Sequence, residues 1–143
     1  MTAKALPAEL DLRQLLKPGD HIVFGQACGE PTTLVEALIE QGHAVPGLKA
    51  FIATSFSGLF TPETAASFAL SSMGAIGALR GMTRAGKLAV IPAHVSQIGP
   101  MITAGIIGCD VAFIQVSPAD ESGNHSYGPV SYTHLTLPTK RIV

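Results

Sequence analysis

Short apolar runs along this chain alternate with segments in which apolar residues recur every three or four positions. Runs rich in β-branched and aromatic residues predict five strands, of which the third is the most ambiguous, at 21–24, 48–54, 68–73, 88–91 and 111–116. Helical periodicity predicts four helices, at 7–16, 30–41, 75–85 and 100–107. Strands that alternate with helices indicate an α/β fold with a mainly parallel sheet flanked by helices.

The last of these strands leads into the most informative stretch, Asp110 to Pro129 (DVAFIQVSPADESGNHSYGP). Its apolar run predicts a strand buried on both faces, as in parallel sheets. A polar loop with Pro and Gly then interrupts the run. Because ligands of open α/β sheets bind beyond the carboxyl ends of the strands, this loop is a candidate site. Its candidate residues are Ser117, Asp120, Glu121, Gly123 and Ser126, with Ser122, His125 and Tyr127 beside them.

Two interpretations of the adjacent carboxylates Asp120 and Glu121 are open. They form an acid/base pair, or they accept hydrogen bonds from nearby backbone amides. Adjacent loop residues need not converge on one substrate atom, so amide capping is the expected role. The hydroxyl groups of the loop are expected to shape it and to line a cleft.

A glycine-containing turn, Gly25-Gln26-Ala-Cys-Gly29, follows the first strand and precedes a helix that opens with Glu30-Pro31. Pro at the first helical position with Glu beside it suits a helix amino terminus, which attracts anions. The GxxxG spacing is not the dinucleotide fingerprint GxGxxG, and no P-loop lysine follows, so a nicotinamide cofactor is not predicted. Either the glycines admit a ligand, or they serve strand-to-helix packing alone.

Composition sets the scale of the molecule. The 143 residues are enough for one domain with a core. Hydrophobic residues make up 47% and charged residues 13%, with a mean hydropathy of +0.38. So apolar a chain is expected to hide surface against a partner domain or subunit. A net charge of −1 gives no reason to expect nucleic acid or an anionic membrane as a partner.

Targeting signals are not visible in the sequence. The first ten residues resemble neither a secretory signal nor a mitochondrial transit peptide, so a cytoplasmic location is expected. The stretch 88–109 has no Asp, Glu, Lys or Arg, but Pro92, His94, Gln97 and Pro100 argue against a membrane span.

A long ordered motif, Asp110-Val-Ala-x-Ile-Gln-Val-Ser-Pro-x-Asp-Glu-x-Gly-x-x-Ser-x-Gly128, resembles a segment of the acetyl-CoA hydrolase/transferase family. These are CoA-transferases acting on acetate, 4-hydroxybutyrate and similar short acids. The resemblance extends back through Leu16-Lys-Pro-Gly-Asp20, Gly29-Glu30-Pro31 with Leu34, Leu79-Arg80 with Gly86, and Ile91-Pro92. It covers about residues 10–129 and looks like the family's Rossmann-like amino-terminal domain alone, truncated.

The resemblance implies a ping-pong acyl transfer. In the family a glutamate attacks the acyl-CoA thioester, giving an acyl-glutamyl anhydride and then a glutamyl-CoA thioester. Backbone amides and a side-chain amide stabilise the oxyanion. The nucleophilic glutamate, the oxyanion donors and most CoA contacts lie in the family's second domain. Glu30 and Glu121 match amino-domain motif positions, so no catalytic residue is expected here, and the fragment alone is expected to be inactive.

The family resemblance also indicates ligands and partners. Coenzyme A is expected as a substrate, with no bound cofactor and no metal. The expected partners are acyl-CoA, short carboxylic acids, the missing carboxy-terminal domain and, at full length, a second copy in a homodimer. The residues expected at the substrate and CoA cleft are Gln26, Gly29, Glu30, Pro31, Ser117, Asp120, Glu121, Gly123 and Ser126.

Other reactive side chains have open alternatives. Cys28 and Cys109 are predicted to be buried thiols in a reducing compartment; a thiol nucleophile built from Cys28 and one of His21, His43, His94 or His125 is the alternative. Arg80 and Arg84, four residues apart, either contact a CoA phosphate or face solvent, and solvent is the preferred interpretation.

The end of the chain differs in character from the rest. Residues Val130 to Thr139 match a translation of the transposase adapter used in sequencing libraries, GTC TCT TAT ACA CAT CTG ACG CTG CCG ACG. We therefore expect an incomplete amino-terminal domain at 1–129 and a non-native tail at 130–143.

Two alternatives to the transferase stay open. One is an acyl-CoA hydrolase of the same family, in which water replaces the acceptor acid. The other is a stand-alone α/β module that binds a small anion with residues 25–33 and the loop after Val116.

Overall fold

The computed structural model describes residues 10–127 and 141–142. In this part of the chain one sheet has the strand order β4-β3-β2-β1-β5-β6, and every neighbouring pair is parallel. The strands are β1 His21–Phe24, β2 Lys49–Phe51, β3 Ala69–Ser72, β4 Leu88–Val90, β5 Val111–Phe113 and β6 Arg141–Ile142. The helices are α1 Leu12–Leu15, α2 Thr32–Gln41, α3 Arg80–Arg84 and α4 Val95–Thr103, with 3₁₀ turns at Ala27–Gly29 and Gly42–Ala44. The predicted parallel α/β fold is confirmed.

Strand order reverses at β1. The chain adds β2, β3 and β4 on one side of β1, and α4 then carries it back to β5 on the other side. Loops that leave the carboxyl ends of β1 and β5 therefore diverge at a topological switch point, where open α/β sheets bind ligands.

Each face of the sheet packs against its own hydrophobic core. Successive side chains of a strand point to opposite faces and therefore enter different cores. In β1, Ile22 and Phe24 join the larger core, while Val23 joins the smaller one. Helices α1, α2 and α3 contribute to the larger core and α4 to the smaller one. In the larger core the ring of Phe24 meets Phe60 and Phe113 edge to face, at centroid distances of 5.8 and 5.4 Å. The prediction that 111–113 is buried on both faces is confirmed.

The predicted start of the last helix, at residue 100, is wrong. Helix α4 begins at Val95, and Pro100 lies inside it instead of opening it. The His94 side chain caps the helix, and the amide of His94 donates to Oε1 of Gln97 at 2.7 Å. This reciprocal cap was not predicted, because His is not among the common capping residues.

Other elements are shorter than predicted. The helix expected at 75–85 forms only at Arg80–Arg84, because Gly77 has φ +66°, outside the helical region. Strand β5 ends at Phe113, and Gln115 and Val116 are exposed. Helix α2 begins one residue after Pro31.

The first residues of the predicted helix 7–16 lie outside the described residues. The same holds for the expected tail 130–143, apart from the β6 backbone. In the described part, no helix has the length and apolar character needed to cross a bilayer.

Candidate functional site

The turn after β1 is fixed to its neighbours on both sides. The amide of Gly25 donates to the carbonyl of Phe113 at 3.0 Å, and the amide of Ala27 donates to the carbonyl of Thr54 at 2.9 Å. A Cβ built on Gly25 would overlap the carbonyl oxygen of Gly29. Gly25 therefore has a packing role, since only a residue without a side chain allows this turn to close.

Glu30, which ends this turn, is 4% exposed and is surrounded by the loop that follows β2. The hydroxyl of Ser55 donates to Oε1 at 2.9 Å and to Oε2 at 3.1 Å. The hydroxyl of Ser57 donates to Oε1 at 2.8 Å. The amides of Phe56 and Ser57 donate to Oε2 at 3.2 and 3.3 Å. The carboxylate thus has partners on both oxygens, which offsets the cost of burying its charge.

The loop after β2 was not predicted as part of the site. It carries Phe56, whose side chain is 64% exposed, between the two serines that hold Glu30. Ser55 also forms a parallel bridge with Gly77, and its carbonyl accepts from the amide of Ala78 at 3.2 Å. The rule that pointed to the loop after β5 applies equally here, because this loop also leaves the carboxyl end of a strand.

The loop after β5 closes on itself through its two serines. The amide of Ser117 donates to the carbonyl of Ser126 at 2.8 Å, and the amide of Ser126 donates to the hydroxyl of Ser117 at 2.9 Å. His125 Nδ1 lies 2.8 Å from the carbonyl oxygen of Ser117. These contacts make 117–126 a defined, solvent-exposed loop.

Asp120 organises the tip of this loop. Its Oδ1 accepts from the amides of Ser122 and Asn124 at 2.9 and 2.8 Å, and its amide donates to the carbonyl of Asn124. The hydrogen bonds that Asp120 accepts hold its pKa below the usual value, and the bond from the backbone amide of Asn124 has the largest effect on that pKa. Asp120 therefore caps backbone amides, as expected, while Glu121 is exposed at the surface.

The predicted cleft residues form two groups. Gly29, Glu30 and Pro31 are buried in the turn after β1, with Gln26 half-buried beside them. Ser117, Asp120, Glu121, Gly123 and Ser126 share the loop after β5. Because β1 and β5 are adjacent and Phe24 pairs with Phe113, both groups extend beyond the same edge of the sheet.

Comparisons with known proteins identify a family and a fold. The model of the acetyl-CoA hydrolase/transferase N-terminal domain matches residues 4–137. The chain belongs to this family. No curated protein matches it. Among solved structures, RipA from Yersinia pestis is 23% identical with a TM-score of 0.70, over 79% of this chain and 29% of RipA. The 4-hydroxybutyrate CoA-transferase from Porphyromonas gingivalis is 24% identical with a TM-score of 0.56, over 82% of this chain and 26% of that protein.

These two structures share the fold of the chain, which spans less than a third of either one. The fold also accounts for one segment of the acetyl-CoA hydrolase/transferase resemblance. In Leu16-Lys-Pro-Gly-Asp20, the Asp20 side chain is buried and accepts from the amide of Lys17 at 2.8 Å, and Gly19 has φ +80°. The segment is therefore a turn closed by its own carboxylate, which positions the start of β1.

The exposure of the two cysteines differs from the prediction. Cys28 is exposed and Cys109 is half-buried, so the expectation that both are buried is wrong. Burial and then the neighbouring Asp110 charge raise the pKa of Cys109 to about 11. His21 begins β1, whereas Cys28 follows its end, so these two residues lie at opposite edges of the sheet and form no nucleophile–base pair. His21 instead lies 3.3 Å from an Asp110 carboxylate oxygen.

The remaining candidates are surface groups. Arg80 and Arg84 are both exposed on α3, as the preferred interpretation expected. Within the described residues, His, Cys, Asp and Glu form no group of three or more that holds a metal ion.

Proposed function

We propose that this chain is the amino-terminal part of a CoA-transferase that moves CoA between acetyl-CoA, or another short acyl-CoA, and a carboxylic acid. The observation that carries the proposal is the family match over residues 4–137. The positions of two segments also support it. The turn after β1, which Glu30 ends, and the Ser117–Ser126 loop lie at the same edge of the sheet, and both match segments of the family motif.

The proposed reaction uses a glutamate outside this chain. Its carboxylate oxygen attacks the thioester carbon, the CoA thiolate leaves, and an acyl-glutamyl anhydride forms. The thiolate then attacks the glutamyl carbonyl and releases the first acid. The acceptor carboxylate reacts with the resulting glutamyl-CoA, CoA returns to the new acyl group, and the glutamate is regenerated. In this scheme Gln26, Gly29 and the Ser117–Ser126 loop form one wall of the substrate cleft.

An acyl-CoA hydrolase is the second candidate, and the family description includes both activities. The first covalent step is the same. The two reactions differ in whether water or a carboxylate reaches the acylated glutamate, which depends on the wall opposite this chain. We further propose that the longer protein is a cytoplasmic homodimer.

The test is to recover the gene from source DNA, express its full product and follow acetyl-CoA with and without propionate, butyrate or 4-hydroxybutyrate. A transferase converts acetyl-CoA to the acceptor's CoA ester only when the acid is present. Acid-independent release of CoA identifies the hydrolase. Neither reaction, together with a reading frame that ends near Pro129, would overturn both and favour the small-anion-binding module.

A further inference from the structure

A cavity of about 320 Å³ lies outside the candidate cleft, on the sheet face that packs against α4. Its lining begins at His21 on β1 and Lys49 on β2 and continues over the exposed side chains of Ala69 on β3 and Ala89 on β4. The first three of these residues open their strands and are paired in register. The cavity is therefore displaced toward the amino edge of the sheet, whereas the candidate cleft lies beyond the carboxyl edge.

The walls of this cavity are apolar. Phe51 and Ile107 are buried members of the smaller core, and Ile91 packs against that core and is half-buried. Ile106, in the loop after α4, is 63% exposed and lines the cavity. Ligand pockets typically have volumes of about 300–1,000 Å³ and mostly apolar linings with a few polar groups. The cavity thus has the size and character of a site for a small, largely apolar molecule.

Lys49 brings a positive charge to this apolar cavity. Among the lysine, arginine, aspartate and glutamate side chains that the structure describes, it alone lines the cavity. In the same part of the chain, its ammonium forms no ion pair with a carboxylate. Because side chains alternate along a strand, Lys49 projects to the same face as Phe51, two residues later. An unpaired ammonium beside apolar walls attracts a negatively charged group.

His21 lies next to Lys49, and its ring is held from two sides. Nδ1 lies 3.3 Å from Oδ2 of Asp110, and the same oxygen accepts from the amide of His21 at 3.1 Å. Gly108 leaves room for the ring, since a Cβ at Gly108 would overlap it. The Asp110 carboxylate is thus engaged by His21 and does not line the cavity, so the charge that faces a ligand is that of Lys49.

We propose that this cavity binds an aliphatic monocarboxylate, with the carboxylate on Lys49 and the alkyl chain over Ala69 and Ala89, against Ile106. One ammonium matches one negative charge, whereas phosphate recognition commonly uses several donors or a bidentate arginine. From Lys49 on β2 to Ala89 on β4 is two strand spacings, or roughly 10 Å, which accommodates the extended chain of octanoate. The site is separate from the cleft, so the proposal does not depend on the proposed function.

The experiment measures the binding of octanoate and octan-1-ol to the full-length product of the recovered gene by isothermal titration calorimetry. Octan-1-ol has the same alkyl chain without the charge. Lys49→Met keeps an unbranched apolar side chain but removes the ammonium, so octanoate should bind about 10-fold more weakly and octan-1-ol should be unaffected. Lys49→Arg keeps the charge and should retain octanoate binding. Lys87→Met is the matched control and should change neither affinity, because Lys87 is exposed just before β4 and does not line the cavity.

Ala89→Leu tests the position of the alkyl chain. The larger side chain occupies the floor of the cavity, so both compounds should lose most of their affinity. Ala66→Leu is the control, because Ala66 is also exposed but lies in the segment before β3, outside the cavity. Lys49 and Ala89 are both exposed, so substitution at either position should leave the thermal unfolding midpoint close to that of the wild type.

Absence of octanoate binding to the wild type would overturn the proposal. So would octanoate binding that neither Lys49→Met nor Ala89→Leu weakens, because the acid would then occupy another site such as the cleft. Equal weakening of octan-1-ol and octanoate by Lys49→Met would overturn the carboxylate assignment. No octanoate binding together with a lowered unfolding midpoint in Ala89→Leu would show that another part of the longer protein fills the cavity. Acetyl-CoA turnover is a separate measurement: both variants should retain it, and its absence in the wild type would overturn the proposed function but not this site.

Discussion

Ser57 binds both oxygens of Glu30: its hydroxyl donates to Oε1 at 2.8 Å and its amide donates to Oε2 at 3.3 Å. One residue of the loop after β2 thus joins that loop to the turn after β1. Because Ser55 completes the set from a fully buried position, the carboxylate is a structural link between two neighbouring loops at the carboxyl edge of the sheet.

Removal of this link should be costly. Glu30→Ala leaves the Ser55 hydroxyl and the amides of Phe56 and Ser57 without their acceptor, so we expect a loss of about 2–4 kcal/mol in unfolding free energy. Urea denaturation measures the loss. Glu121→Gln, at an exposed position, should change the value by less than about 0.5 kcal/mol. Equal effects of the two substitutions would contradict the structural role of Glu30.

Two glycines close together in sequence should respond to alanine in opposite ways. Gly77 has φ +66°, and an added Cβ would lie 2.5 Å from the carbonyl oxygen of Ser55, so Gly77→Ala should destabilise the protein by more than about 1 kcal/mol. Gly81 lies in α3 with open space around it, so Gly81→Ala should stabilise by about 0.5–1 kcal/mol. The thermal unfolding midpoints of the two variants provide the comparison, and a shift of the same sign in both would refute the prediction.

The two cysteines should differ in reactivity. The thiolate is the nucleophile, and the pKa of Cys109 is raised to about 11, so little of it is ionised at pH 8. Cys28 is exposed in the turn after β1. Iodoacetamide at pH 8 should modify Cys28 first, as peptide mass mapping would show, and Cys28→Ser should remove the fast phase. Faster labelling of Cys109 would argue against its raised pKa.

Acid should loosen the loop after β5. The lowered pKa of Asp120 means that its charged form is favoured by the folded loop. Its contribution is therefore complete above the ordinary pKa of 3.8 and is lost as the pH falls through the lowered folded-state pKa. The NMR shifts of the Ser122 and Asn124 amides should titrate below pH 3.8, and Asp120→Asn should abolish that titration. A midpoint at or above 3.8 would contradict the capping role.

Elements with a strong periodic signal could be predicted from the sequence. The predicted bounds of β1 and α2 agree with the structure to within two residues. Both elements bury an apolar face, so their apolar residues recur with a clear period along the sequence. The start of α4 could not be predicted, because His94 is an uncommon cap and Pro100 suggested a boundary where the helix continues.

At the site, local contacts were predictable and long-range ones were not. Asp120 caps amides within four residues, which loop composition indicates. Glu30, in contrast, accepts hydrogen bonds from Ser55 and Ser57, which lie 25 and 27 positions further along the chain. Their proximity to Glu30 follows only from the parallel pairing of β1 and β2. For the same reason the exposure of Cys28 could not be derived from the small residues around it.

The most direct test of the central claim is borohydride trapping with acetyl-CoA on the full-length product of the recovered gene. The account predicts that borohydride reduces the glutamyl-CoA thioester to an alcohol, with release of CoA thiol, at a glutamate outside this chain, and leaves Glu30 and Glu121 unmodified. Reduction of Glu30 or Glu121 would contradict the assignment of this chain as the part without the nucleophile. Acyl transfer without any glutamyl adduct would contradict the covalent mechanism.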